Sequence, residues 1–122
     1  MIDKYLKRKR TMAVPSVNLR IDKGTDFEAV FNLTNSDGSV FELNNYTAVS
    51  KIRKHPSSST SKSFTTSITT STGEIKITMT DTNTATLSTG INVYDVLIID
   101  SVTGSITKVF EGNAVVYDSI SI

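Results

Sequence analysis

The chain has no cysteine and no tryptophan, and only one histidine and two prolines in 122 residues. Without cysteine there is no disulfide and no thiolate metal site. With His55 as the single histidine, paired-His and multi-His metal centres are excluded as well. No apolar run approaches the roughly 20 residues of a membrane span. The N-terminus is basic but lacks the apolar core of a secretory signal. The six glycines are scattered, mostly at turns, so no glycine-rich phosphate loop is present.

Catalytic constellations are equally scarce. His55 precedes Pro56 and a Ser-rich stretch, but no G-x-S-x-G elbow occurs and no acid is placed to orient the ring. Asp81-Thr82-Asn83 begins like a calcium loop. The glycine and the bidentate glutamate that such a loop needs would fall on Thr86 and Asn92, so a helix cap is the better reading. Asn32-Leu33-Thr34 and Asn45-Tyr46-Thr47 match the glycosylation pattern, as chance allows in a Thr-rich chain. Asp26/Glu28 and Asp95/Asp100 are pairs of acids suited to solvated strand faces. The expectation is a non-enzymatic protein without metal or cofactor.

What the chain does have is Ser and Thr, about a quarter of all residues against ordinary usage, and a marked charge asymmetry. Of 13 basic and 12 acidic residues, residues 1–11 hold five basic and one acidic. This leaves eight against eleven in the body, so an arm of +4 precedes a body of −3. Three readings of Lys4, Tyr5, Lys7, Arg8, Lys9 and Arg10 are open: a solvated tail, an anchor that orders on an acidic neighbour, or a nucleic-acid contact. The body has no second basic patch with interleaved aromatics, which disfavours the third. Fully extended, eleven residues reach about 35–40 Å, far enough to cross a neighbouring subunit. Met12 follows the arm at once, so translation from Met12 is an alternative start.

From residue 14 to 122 the pattern is strand and turn. Val17, Leu19 and Ile21 alternate with polar residues, and Phe27, Ala29, Phe31 and Leu33 share one face of the next segment. Asp37-Gly38 then signals a hairpin, because Gly38 takes a positive φ cheaply, with VFEL (40–43) as a short returning strand. Tyr46, Ala48 and Ile52 mark a strand with Lys51, Arg53 and Lys54 outward, and residues 56–61 a polar loop. Phe64 and Ile68 lie in one Thr-rich strand, and Ile75, Ile77 and Met79 alternate cleanly. Asp81 or Thr82 is placed to cap one helical turn carrying Ala85 and Leu87, ended by Gly90. NVYDVLIID is the most apolar strand and is expected at the centre of a sheet. In the closing strand Ile106, Lys108, Phe110, Ala114 and Val116 are read in one register, with Gly112 marking a bulge or a close backbone approach. Seven or eight short strands at this spacing predict an all-β sandwich, with a small barrel as the alternative.

Four stretches carry a more specific resemblance: NLRIDKGTDFEAVFNLTNSDGS, LNNYTAVSKIRKHPSS, GEIKITMTDTNTATLSTG and YDVLIIDSVTGSITKVFEGNAVV. In this order, over residues 17–117, the body resembles the immunoglobulin-like β-sandwich domain of tailed-phage virion proteins. It is similar to the N-terminal domain of phage baseplate upper proteins and to small structural proteins of phages infecting cyanobacteria. The resemblance implies an immunoglobulin-like antiparallel sandwich (residues 14–122) behind a basic arm (residues 1–13). It also implies a virion location, as a homo-oligomer or in several copies, with other virion proteins as partners. Tail, baseplate or neck is one placement; capsid decoration on the head exterior is another, and a host-surface binding module is a third role. Tyr46 would be a corner tyrosine tying a loop, Tyr94-Asp95 a pair whose acid satisfies nearby backbone donors, and Glu111-Gly112 a bulge. Strand 106–117 is expected to serve as an edge that pairs with a neighbour.

Overall fold

The computed structural model describes residues 14–35 and 37–121. The arm expected over residues 1–13, with its candidate contacts Lys4, Tyr5, Lys7, Arg8, Lys9 and Arg10, lies outside the described residues.

Among the described residues eight strands and one helical turn follow one another: β1 (Leu19–Asp22), β2 (Phe27–Asn32), β3 (Tyr46–Arg53), β4 (Lys62–Ser63), β5 (Thr65–Thr69), β6 (Glu74–Met79), α1 (Asp81–Thr84), β7 (Gly90–Asp100) and β8 (Ile106–Tyr117). They form a five-stranded sheet in the order β1-β8-β7-β3-β4 and a three-stranded sheet in the order β2-β6-β5. This is the strand order of an immunoglobulin-like sandwich, with one sheet of G, F, C and C′ strands and one of B, E and D strands. The pairing is antiparallel except at β1, which runs parallel to β8. The expected antiparallel sandwich is thus present, with the short β1 as a parallel addition at one edge.

Period-2 alternation builds the core. On β6 Ile75, Ile77 and Met79 are buried while their neighbours are half-exposed, and on β7 Asn92, Tyr94, Val96 and Ile98 point inward. Each fully buried Ile or Val contributes about 1.5–3 kcal/mol. Phe31 of β2 stands between the rings of Tyr94 (centroids 6.4 Å apart) and Phe110 (4.8 Å), linking the two sheets.

Four connections pass from one sheet to the other, and two of them are pinned by hydrogen bonds. Residues 23–26 lead from β1 to β2. Residues 62–69 do the same on the opposite flank, where the expected single Thr-rich strand breaks at Phe64. Phe64 donates its N–H to the Ser50 carbonyl (2.9 Å), and the Thr66 hydroxyl donates to the Ala48 carbonyl (2.8 Å), stitching β5 to β3.

Other local expectations are also revised. The segment at 40–43 forms one isolated bridge, Thr34 with Val40, although Phe41 and Leu43 are buried. The helical turn is capped from Thr80, not from Asp81 or Thr82, and without a side-chain cap bond. It buries Thr84 and, just beyond, Leu87, while Ala85 is exposed. A bulge lies in β8 at Val109, opposite Val96/Leu97, and not at Gly112. It shifts the side-chain sense, so Ile106 and Lys108 face solvent while Val109, Phe110, Ala114 and Val116 are buried.

Thr84 fixes the β1–β2 crossing. Its hydroxyl accepts the Gly24 N–H (3.0 Å) and donates to the Thr25 carbonyl (2.8 Å), and its side chain is fully buried. Thr84→Val keeps the shape but strands both backbone groups. The expected loss is about 1–3 kcal/mol in urea unfolding, with Thr84→Ser retaining most of the native midpoint.

Candidate functional site

Tyr94 and Gly112 are register partners on β7 and β8. Residues 15–18 approach β8 in the same parallel alignment as β1: Val17 donates its N–H to the Glu111 carbonyl (2.8 Å), and Glu111 donates to the Pro15 carbonyl (3.2 Å). A regular parallel ladder would next have the Asn113 N–H donate to the Val17 carbonyl. Instead the Asn18 side-chain oxygen accepts that N–H (3.1 Å), and the Val17 carbonyl accepts the Tyr94 hydroxyl (2.5 Å). Tyr94 reaches the carbonyl across β8 at the one position where β8 has no side chain. A Cβ on residue 112 would overlap the Val17 carbonyl oxygen and lie 2.8 Å from its carbon. Of the two roles expected for Gly112, the structure has the close backbone approach.

The remaining sequence candidates are dispersed. Gly38 has φ +89° in a turn where the Ser39 N–H (3.0 Å) and hydroxyl (2.6 Å) donate to the Asp37 carboxylate, holding it below its ordinary range. Tyr46 begins β3 opposite Asp100, its ring edge-on to Phe41 at 5.8 Å. Tyr94 is a buried tyrosine that ties down a distant segment.

Asp95 faces outward on β7, opposite Lys51 on β3 and Glu111 on β8. Its carboxylate pairs with Lys108 (3.6 Å), which also pairs with Glu111 (3.3 Å). It thus neutralises a cation, where the sequence pointed to backbone donors. These charges border an open groove of about 680 Å³ across β3, β7 and β8, with Val49, Val93 and Leu97 on its floor. Apolar floor and charged rim are the composition of a protein-docking surface.

The groove continues onto two features that sequence reasoning missed. β8 is covered by the chain at 15–22 only from Glu111 onward, so the expectation that all of 106–117 is an edge is corrected. Among the described residues, the side of Ile106–Phe110 turned away from β7 has no strand partner. Beside it, Val102 (76 % exposed) and Ile106 (64 %) project from the β7–β8 hairpin. A second open edge is β2. Leu33 donates to the Gly73 carbonyl (2.8 Å), so odd-numbered residues of β2 bond to β6 and the backbone groups of Glu28, Val30 and Asn32 point away. Among the described residues no group of three or more His, Cys, Asp or Glu side chains could hold a metal ion. Likewise no helix is long and apolar enough to cross a membrane.

No family model matches the chain, and no curated protein matches it. A solved structure does. The N-terminal domain of phage TP901-1 ORF48 is similar with a TM-score of 0.53 and 14 % identity, over 82 % of each chain. At that identity the likeness is one of fold. The all-β sandwich expected from the alternation of apolar residues is thereby present both in this chain and in a phage protein's domain.

Two outcomes test the Tyr94–Gly112 arrangement. Gly112→Ala is expected to cost about 1–3 kcal/mol, the range for overpacking, with amide-exchange protection lost first at Glu111 and Asn113. For Tyr94, burial pushes the hydroxyl up to about 12, whereas the unfolded chain titrates near 10. Between those values the unfolded chain releases a proton that the folded chain keeps, so this group's contribution to stability is lost as pH rises from about 10 to about 12. Tyr94→Phe is expected to be less stable at pH 7 and to close that gap across this window in urea midpoints.

Proposed function

We propose that this chain is a non-enzymatic structural module of a tailed-bacteriophage particle, docked among other virion proteins in the tail, baseplate or neck. The observation that carries the reading is the fold shared with the N-terminal domain of phage TP901-1 ORF48. The resemblance of the four sequence stretches to virion sandwich domains supports it independently. Fold alone does not assign a role, so the surface must supply one. The groove over β3, β7 and β8, the open half of β8 and the exposed Val102 and Ile106 form one continuous region suited to a protein neighbour.

In this reading the partner covers the β7–β8 hairpin and adds backbone contacts along Ile106–Phe110, as exposed strand edges permit. The chain enters the fold at Pro15 and Ser16, beside Glu111 on the border of the same region. The basic arm supplies charge-assisted contacts to an acidic neighbour. Copy number separates tail, baseplate or neck from capsid decoration: a decoration protein approaches the major capsid protein in abundance, and the others are scarce.

The test is incorporation into particles. Ile106→Asp and, separately, deletion of residues 1–11 are each expected to lower incorporation at least tenfold. The melting temperature of the isolated domain should stay within about 2 °C, since substitutions of exposed residues rarely exceed about 0.5 kcal/mol. Full incorporation of both variants would overturn the proposal. Quantitative mass spectrometry of purified particles gives the copy number against the major capsid protein.

A further inference from the structure

At the other end of β7 from the hairpin, β3 runs out into the 55–61 loop and leaves a second, smaller cleft of about 230 Å³. Three cations line it, Arg53, Lys54 and Lys62, together with the hydroxyl residues Thr60, Ser61 and Ser88. No carboxylate lines it. Ile52 and Leu87, both buried, form its apolar base.

This concentration of positive charge is uncompensated among the described residues. Among the described residues the ion pairs are Arg20–Asp22, Lys23–Asp118 and those of Lys108, and none includes a cation of the cleft. Asp118 is near but engaged, pairing with Lys23 (3.8 Å) and accepting the Thr89 hydroxyl (3.2 Å). Two of the cations are held in place by the backbone. Arg53 donates to the Ser58 carbonyl (2.8 Å), and Lys54 donates to the Thr89 carbonyl (3.3 Å). Each bond uses one donor, while a guanidinium carries five and an ammonium three. Lys62 and the hydroxyls of Thr60, Ser61 and Ser88 have no side-chain hydrogen bond among the described residues.

Donors without acceptors, around a small space bearing three positive charges, specify an anion with several oxygens. A single carboxylate would leave two charges unmatched; a phosphate dianion offers twice the charge and oxygens pointing in four directions. We propose that this cleft is a binding site for a phosphoryl group, held by Arg53, Lys54 and Lys62. The hydroxyls of Thr60, Ser61 and Ser88 complete its hydrogen bonds. The cleft adjoins the groove, since Arg53 lines both, and it lies at the opposite end of β7 from the hairpin that carries Val102 and Ile106.

The test is a titration of the full-length protein with inorganic phosphate at constant ionic strength, followed by amide chemical shifts. Saturable shifts are expected at residues 52–54, 60–62 and 86–88. The dissociation constant should rise at least fivefold in Arg53→Gln and in Lys62→Gln and stay unchanged in Lys23→Gln, which lies outside the cleft. Glucose 1-phosphate distinguishes the sources. Equal affinity assigns the cleft to a phosphoryl group carried on a larger molecule, and much weaker binding assigns it to the free ion. Linear shifts without saturation, equal effects in Lys23→Gln, or tighter binding of glutarate than of phosphate would each overturn the proposal.

Discussion

The bond from the Tyr94 hydroxyl to the Val17 carbonyl decides how the first strand sits on the sandwich. A parallel edge strand would normally spend every second carbonyl on its neighbour. Here one carbonyl is withdrawn from the ladder and given to a side chain that comes from a strand beyond the neighbour. The vacated donor on Asn113 is satisfied by Asn18, so nothing is left unpaired. Gly112 follows as a necessity, since any larger residue there would occupy the space the carbonyl needs. Four residues on three stretches of chain therefore act as one unit: the tyrosine supplies the hydroxyl, glycine the passage, valine the acceptor, and asparagine the substitute. With Val17 so held, Leu19–Asp22 pairs parallel to Ala114–Tyr117, and the chain is delivered to the crossing that begins β2.

The same tyrosine stands near the middle of the core. In immunoglobulin domains of antibodies a disulfide joins the B and F strands beside a buried tryptophan, and this chain has neither cysteine nor tryptophan. Its B and F equivalents, β2 and β7, are joined by Phe31 against Tyr94, and Phe110 of β8 closes the group. Aromatic contacts of this kind add about 0.5–1.5 kcal/mol each beyond the burial of their area. They do not restrict the unfolded chain as a cross-link does. Retention of the sandwich thus falls to burial and to the segments that change sheets, one of them pinned by Thr84 and another by Phe64 and Thr66.

The pattern of alternation was enough to read most of the strands. β2, β3, β6 and β7 bury the residues that period-2 spacing assigns to the inside, because both inner faces of a sandwich demand it. The resemblance of the four ordered stretches added the sandwich type. What could not be read has a common cause: each feature depends on a partner far away in sequence. The bulge at Val109 exists only in relation to Val96 and Leu97 on β7, and without it Ile106 and Lys108 appear to belong with Phe110. The break at Phe64 reflects which strand each side meets, β3 before it and β6 after it. Thr84 looked like one more threonine of a helical turn, while its role is set by Gly24 and Thr25, some sixty residues earlier. Gly112 could be recognised as special, but only the passage of Val17 decides between bulge and close approach. The groove and the cleft were invisible for the same reason, being assembled from three or more separated segments.

The exposed hairpin and the cationic cleft occupy opposite ends of β7, with the groove running between them and sharing Arg53 with the cleft. Along its middle, β7 is paired on both sides and its inner face is buried, so nothing there can vary without cost to the core. At the hairpin end, residues 101–106 are all exposed, so Val102 and Ile106 are apolar there without a role in the core. At the other end, Lys54 and Arg53 lie where β3 leaves the sheet, and their charges meet no acid. Exposed apolar groups and uncompensated cations both carry free energy that contact with a partner would release, the first by burial and the second by pairing.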